Sequence, residues 1–220
     1  MKRLSCVLCL IVIFALSVVG QEQRTRDLYL SYKSGNSSAG QPGAKIVVAL
    51  NRSDAIQMVS PGTVFRSGDK VRFYLSLNFN GYLAVLNKGT SGRIVRLYPY
   101  PGAPNPVHAS GEIVVPGKDA WFAFDETPGI EEVTFLMSKD PIKEVEERNP
   151  GTSDSQGLES ASDRSADENV QRSIVALDKR AQHQARDLHL EISDKAAFGV
   201  ASEKELLGLV KFTVFLKHEK

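Results

Sequence analysis

Lys70–Leu77 alternates without a break: Val71, Phe73, Leu75 and Leu77 are apolar, and Arg72, Tyr74 and Ser76 stand between them. A period of two puts the first set on one face of a strand and the second on the other. Asn80-Gly81 reads as a turn, because both residues tolerate positive φ. Tyr82–Asn87 reads as the returning strand, Gly89-Thr90-Ser91-Gly92 as a second turn, and Arg93–Tyr98 as a third strand. The pattern predicts an antiparallel meander over 66–98.

Strand signals continue on both sides. Upstream, Leu28, Leu30 and Tyr32 alternate, and Ile46–Leu50 is a short apolar run. Downstream, Pro99, Pro101, Pro104 and Pro106 exclude a ladder strand, since proline lacks the N–H to donate. Glu112–Val115, Trp121–Asp125 and Glu132–Ser138 follow as short strands punctuated by Pro-Gly pairs. This spacing predicts an all-β fold, an antiparallel β-sandwich of immunoglobulin-like general shape, over 21–141.

Residues 142–169 hold many Glu, Asp, Ser, Asn and Gly and almost no large apolar side chain, which predicts a disordered linker. Val170, Ile174 and Leu177 fall at i, i+4 and i+7, so a short amphipathic helix is expected near 167–182. Asp187–Ile192 and Val210–Leu216 alternate again. Two strands cannot stand alone, so the segment 170–220 is expected to return and complete the sandwich.

The first 20 residues have another logic. Lys2 and Arg3 precede the uncharged apolar run Leu4–Val19, and small or permissive residues end at Gly20. That is the form of a secretory signal peptide, and it predicts a periplasmic or extracellular protein. The run spans 16 residues, short of the roughly 20 a membrane helix needs. An uncleaved N-terminal anchor is the alternative; after cleavage no membrane-inserted segment is expected. Both cysteines, Cys6 and Cys9, lie inside the leader, so the processed chain contains neither a disulfide nor a thiolate for catalysis or zinc. Of 27 basic residues, removal of Lys2 and Arg3 leaves 25 against 26 acidic ones. A near-neutral chain has no broad basic field for nucleic acid.

Phe65–Phe73, Asn80-Gly81-Tyr82-Leu83, Gly92, Leu97-Tyr98-Pro99, Val114-Val115-Pro116, Trp121–Asp125, Pro128–Glu131 and Ser138–Pro141 stand in an order and spacing that resemble the bacterial family named domain of unknown function 4384. The resemblance covers 65–141. It implies a β-rich, sandwich-like module, found alone in exported proteins or beside kinase-like or caspase-like domains. It therefore implies an accessory binding or regulatory role and no catalytic residues. Family members often have Phe where Tyr98 stands here.

Candidate chemistry is sparse. Tyr82, Tyr98 and Tyr100, with Pro99 and Pro101, form the expected contact surface around the loop 99–107, since rigid amphipathic rings bury area at low entropic cost. Trp121 is a further candidate platform residue, with Phe122 and Phe124 turned to the core. Asp125-Glu126 does not fit a glycosidase pair, because neighbours on a strand diverge. His183, Asp187 and His189 fit no zinc spacing, and the four histidines are read as solvent-facing. Gly89–Gly92 has the wrong offset for a nucleophile elbow. No cofactor or metal is implied. The reading is an exported, non-catalytic module that binds a protein or an envelope polymer. A hydrolase of cell-envelope or extracellular material, or a structural part of an envelope complex, are the alternatives.

Overall fold

The computed structural model describes residues 24–100, 102–109, 111–146, 161–193 and 195–220. Residues 1–23, where the signal peptide is expected, and residues 147–160 lie outside the described residues. The described strands are β1 (Gly43–Arg52), β2 (Ala55–Val59), β3 (Phe65–Arg66), β4 (Lys70–Leu77), β5 (Tyr82–Lys88), β6 (Ile94–Tyr98), β7 (Glu112–Val115), β8 (Phe122–Ala123), β9 (Gly129–Ser138), β10 (Arg186–Asp187), β11 (His189–Ile192), β12 (Ala197–Val200) and β13 (Val210–Glu219). Helices α1 (Thr25–Lys33), α2 (Lys143–Glu146) and α3 (Ala161–Gln184) and the 3-10 turn Glu205–Leu207 complete the fold.

The strands form two facing sheets. The first has the order β11-β12-β1-β4-β7, with β2 also on β1 and β8 also on β4. The second has the order β10-β13-β9-β5-β6, with β3 also on β13. Pairing is antiparallel except where β10 and β3 run parallel to β13. Val71, Phe73, Leu75 and Leu77 face Leu83, Val85, Val133, Phe135 and Met137 across the interior. The structure is thus a β-sandwich. The alternation of β4 produces it, because each buried apolar side chain contributes about 1.5–3 kcal/mol.

The meander is corrected. Among the described strands, β4 and β5 share no ladder: β4 pairs with β1, β7 and β8, and β5 with β6 and β9. Neither Asn80 nor Gly81 takes positive φ. Instead residues 78–81 carry the chain from one sheet to the other. Phe79 is buried and draws the link inward. A Cβ on Gly81 would lie 2.5 Å from the Ser138 carbonyl oxygen, so only glycine lets the chain pass there. The buried Asn78 fixes the crossing: its Oδ1 accepts from Gly43 N (2.6 Å), and its Nδ2 donates to the carbonyls of Tyr29 (2.9 Å) and Gln41 (3.1 Å).

Leu28–Tyr32 is helical, not extended. The buried side chain is Tyr29, with Leu28 and Tyr32 partly buried beside the core, whereas Leu30 is 43 % exposed. That spacing follows a helical face. Helix α1 lies on the outer face of the first sheet, where Tyr29 meets Phe198 edge to face at 5.7 Å and donates to Ser76 O (3.1 Å).

The stretch read as linker also differs. Residues 143–146 form α2, with Ile142 and Val145 buried, and α3 begins at Ala161 rather than near 167. Ile174, Leu177 and Ala181 cover Ala84, Leu86 and Leu136 on the outer face of the second sheet. Arg180 donates twice to Glu144, at 2.8 and 3.1 Å, and ties the two helices. The result has four layers: helix, sheet, sheet, helix. In the tail, β12 pairs with β1, and β13 pairs with β9 from Val210↔Met137 to His218↔Gly129. Leu190 and Ile192 are exposed, because β11 is an outer edge strand.

Replacing Asn78 by Ala leaves the amide of Gly43 and two carbonyls without their partner. The expected cost is about 2–4 kcal/mol in urea unfolding. A loss below about 0.5 kcal/mol would contradict this account of the crossing.

Candidate binding surface

The four residues expected to share one surface occupy three environments. Tyr98 is 0 % exposed and belongs to the core between the sheets. It pairs with Val85, whose side chain points inward, and its hydroxyl donates to the Pro104 carbonyl. Burial, with Tyr100 adding to it, pushes that hydroxyl up to about 12. Tyr98 is therefore the anchor of the loop 99–107 and not its contact residue. Tyr100 is half-buried, with its ring edge to face on Tyr98 at 5.8 Å. Tyr82 packs on the opposite side of the second sheet, beside α3. Trp121 lies on the outer face of the first sheet.

That outer face is where the structure brings a recognition surface together. Cross-strand partners project to the same side of a sheet. Met58, Ala49 and Arg72 form one row, and Val47, Tyr74 and Val114 the next. The Arg72 guanidinium carbon stands 4.1 Å from the Trp121 ring centre, and Arg72 Nε donates to Ala120 O at 3.0 Å. A stacked guanidinium contributes about 0.5–1 kcal/mol at an exposed site and holds both groups in place. Helix α1 packs against β11 and β12 and its cluster reaches Val47, while Arg72, Tyr74 and Trp121 beyond it stay partly exposed. The half-buried Tyr74, Trp121 and Arg72 offer ring area and unused N–H donors, the chemistry of a stacking and hydrogen-bonding platform. The alternation of β4 already placed Arg72 and Tyr74 on one side; nothing in the local sequence pairs them with Trp121.

A second feature borders this face. β2 follows β1 through Ser53 and Asp54, which both take positive φ (52° and 64°). That is the two-residue turn of a tight hairpin. Ile56 is 60 % and Met58 45 % exposed. Among the described strands β2 pairs only with β1, so its other edge is open.

The remaining polar groups are occupied or isolated. His108, His183 and His189 are exposed, but His218 is 2 % exposed, which corrects the solvent-facing reading. It continues the inward row Phe212, Val214, Leu216 and lies 4.9 Å from the Phe124 ring. Asp125 accepts from Thr127 N at 2.7 Å in a turn and is exposed, as is Glu126. Gly89–Gly92 closes the β5–β6 hairpin, with Gly92 at φ 78°. No group of three His, Cys, Asp or Glu side chains able to hold a metal occurs among the described residues. A 600 Å³ groove between α1 and β11 contains Glu191, whose Oε2 accepts from Arg26 N at 3.0 Å. A 290 Å³ cleft beside the 3-10 turn contains Glu205, which accepts from Ser202 N and Oγ, both at 2.8 Å.

Two ion pairs brace the frame around these features. Arg52 holds the buried Asp69 at 2.6 and 2.9 Å, and the Arg66 amide adds a third bond at 2.8 Å. The Arg52 hydrogen bonds hold the Asp69 carboxyl below its ordinary range, against the opposing effect of burial. Glu203 joins Lys139 and the Tyr32 hydroxyl, which ties α1 to the end of β9. Lys139 first and Tyr32 second hold Glu203 low, and the bond to Glu203 pushes Tyr32 up to about 12.

With the frame defined, residues 64–141 match the family model described as Domain of unknown function (DUF4384). The match covers 78 of the chain's 220 residues, and it is this segment that is similar to the family. No curated protein and no solved structure matches the chain. The matched segment supplies β3 to β9, including β4, an interior strand of the first sheet, and β9, the middle strand of the second. Their neighbours β1 and β13 come from outside it.

Asp69 has a depressed carboxyl in the fold, so its contribution to stability is present above the ordinary aspartate value of about 3.9 and is lost as pH falls below it. Asp69→Asn is expected to lower stability at neutral pH and to flatten the acid limb of the stability–pH curve. An acid limb identical to that of the parent would contradict the assignment.

Proposed function

We propose that the protein is an exported, non-catalytic β-sandwich module that binds a protein or an envelope polymer in an accessory role. The observation that carries this reading is the stack of Arg72 on Trp121 beside Tyr74, all three partly exposed on the outer face of the first sheet. Recognition surfaces favour such rings and guanidinium groups, because they bury area while keeping a polar handle. The non-catalytic part of the reading rests on the family resemblance of 64–141, which implies no catalytic residues. Export rests on Lys2, Arg3 and the apolar run that follows them.

The open edge of β2 favours a second reading, a structural part of an envelope complex. The two readings share Met58 but rest on Tyr74 and Trp121 in one case and on the β2 edge in the other, and they separate by mutation.

The test is capture from envelope fractions with the purified protein and a Tyr74→Ala/Trp121→Ala variant. We expect the variant to keep its cooperative melt and to lose the captured species. If the folded variant captures the same set as the parent, the outer-face reading is wrong.

A further inference from the structure

We propose that β2 pairs with the β2 of a second copy of this chain, antiparallel and centred on Gln57, so that the first sheets of two molecules join edge to edge. The proposal stands independently of the outer-face reading.

The argument begins with the hairpin. In a two-residue turn, the flanking residues Arg52 and Ala55 form a hydrogen-bonded pair, and such pairs recur at every second residue. Ala55, Gln57 and Val59 therefore direct their amides and carbonyls toward β1. Ile56 and Met58 direct theirs to the open side. Natural proteins blunt such an edge with a charge, a proline, a bulge or a cover. Ala55-Ile56-Gln57-Met58-Val59 contains no charged residue and no proline, its register with β1 is unbroken, and it pairs with no second strand among the described residues.

The sequence of the strand selects the occupant. It reads apolar, apolar, polar, apolar, apolar about Gln57. Antiparallel pairing with an identical strand places Ile56 opposite Met58 of the other copy, twice, and Gln57 opposite Gln57. Those two Ile–Met pairs are the positions whose backbone groups point outward, so each exchanges both hydrogen bonds, four in all. No charge faces a like charge, which is the usual bar to self-pairing. A strand from an unrelated partner would find no charge here to choose it.

The two-fold axis of such a pair stands perpendicular to the sheet, so both Arg72–Trp121 platforms face the same side. A pair of five-residue strands buries far less than the roughly 1,200 Å² of a stable complex. The association is therefore weak and concentration-dependent, and it turns one platform into a bivalent surface.

The test is sedimentation velocity on the purified protein over a wide concentration range, with an Ile56→Lys/Met58→Lys variant. We expect the parent's mass to rise with concentration toward a dimer, and the variant's association to weaken by at least about tenfold. Both side chains are exposed in the monomer, so the melt of the variant should match the parent. A parent that stays monomeric throughout, or a folded variant that dimerises as well as the parent, overturns the proposal. If the double variant fails to fold, Gln57→Cys decides the matter. The leader-free chain has no other cysteine, and a non-hydrogen-bonded pair brings Cα atoms to about 4.5 Å, within disulfide reach. Cross-linked dimer under mild oxidation supports the register. Its absence at concentrations where the parent associates contradicts it.

Discussion

Phe73 of β4 and Phe135 of β9 meet edge to face in the middle of the interior, with ring centres 5.5 Å apart. Each belongs to a strand with neighbours on both sides in its own sheet, and Phe212 of β13 extends the contact from Phe135 at 5.8 Å. The other elements take positions that keep water from this seam. β1 and β7 flank β4, and β5 and β13 flank β9. The helices then cover the outer apolar patches that alternation leaves behind, Tyr29 over Phe198 on one side and Ile174 and Leu177 over Leu86 and Leu136 on the other. No cysteine lies among the described residues, so this burial must carry the stability of the sandwich without a disulfide there.

The same constraint explains why the matched segment needs its neighbours. Between Phe65 and Pro141 lie β4, β9 and most of the interior side chains. The chain before that segment supplies β1 and the chain after it supplies β12 and β13, so more than half of the paired positions of β4 and β9 are with strands from elsewhere. Asn78 of the crossing link ties three of these parts together, since it bonds α1, the approach to β1 and the start of β1 itself. The partly exposed outer face and the open β2 edge are what remains after the core has been enclosed.

Fold class was legible because alternation over Val71–Leu77 is long and strict, and all four apolar members are buried. Strand partnership was not. Asn80-Gly81 suits a hairpin as well as a crossing, and the burial of Phe79, a tertiary event, decides between them. At Leu28–Tyr32 a three-residue alternation overlaps a helical face, and Tyr29 rather than Leu30 turned inward. Tyr98 looked like a recognition ring because its loop is rich in proline, yet a β-bulge opposite Val85 and Leu86 shifts the register after Arg96 and turns it into the core, although Ile94 of the same parity packs on the outer face. The site was legible only in part. Trp121 was singled out, but its partners Arg72 and Tyr74 lie far away along the chain. β2 escaped because all five of its residues are uncharged and both of its faces meet solvent, so no periodicity marks it.

The dependence of the seam on strands from outside the family segment is the central claim, and the segment 64–141 expressed alone tests it most directly. Its amide spectrum and thermal melt should show little dispersion and no cooperative transition, while the chain from residue 24 to 220 shows both. A well-dispersed spectrum and a cooperative melt from 64–141 alone would contradict the account.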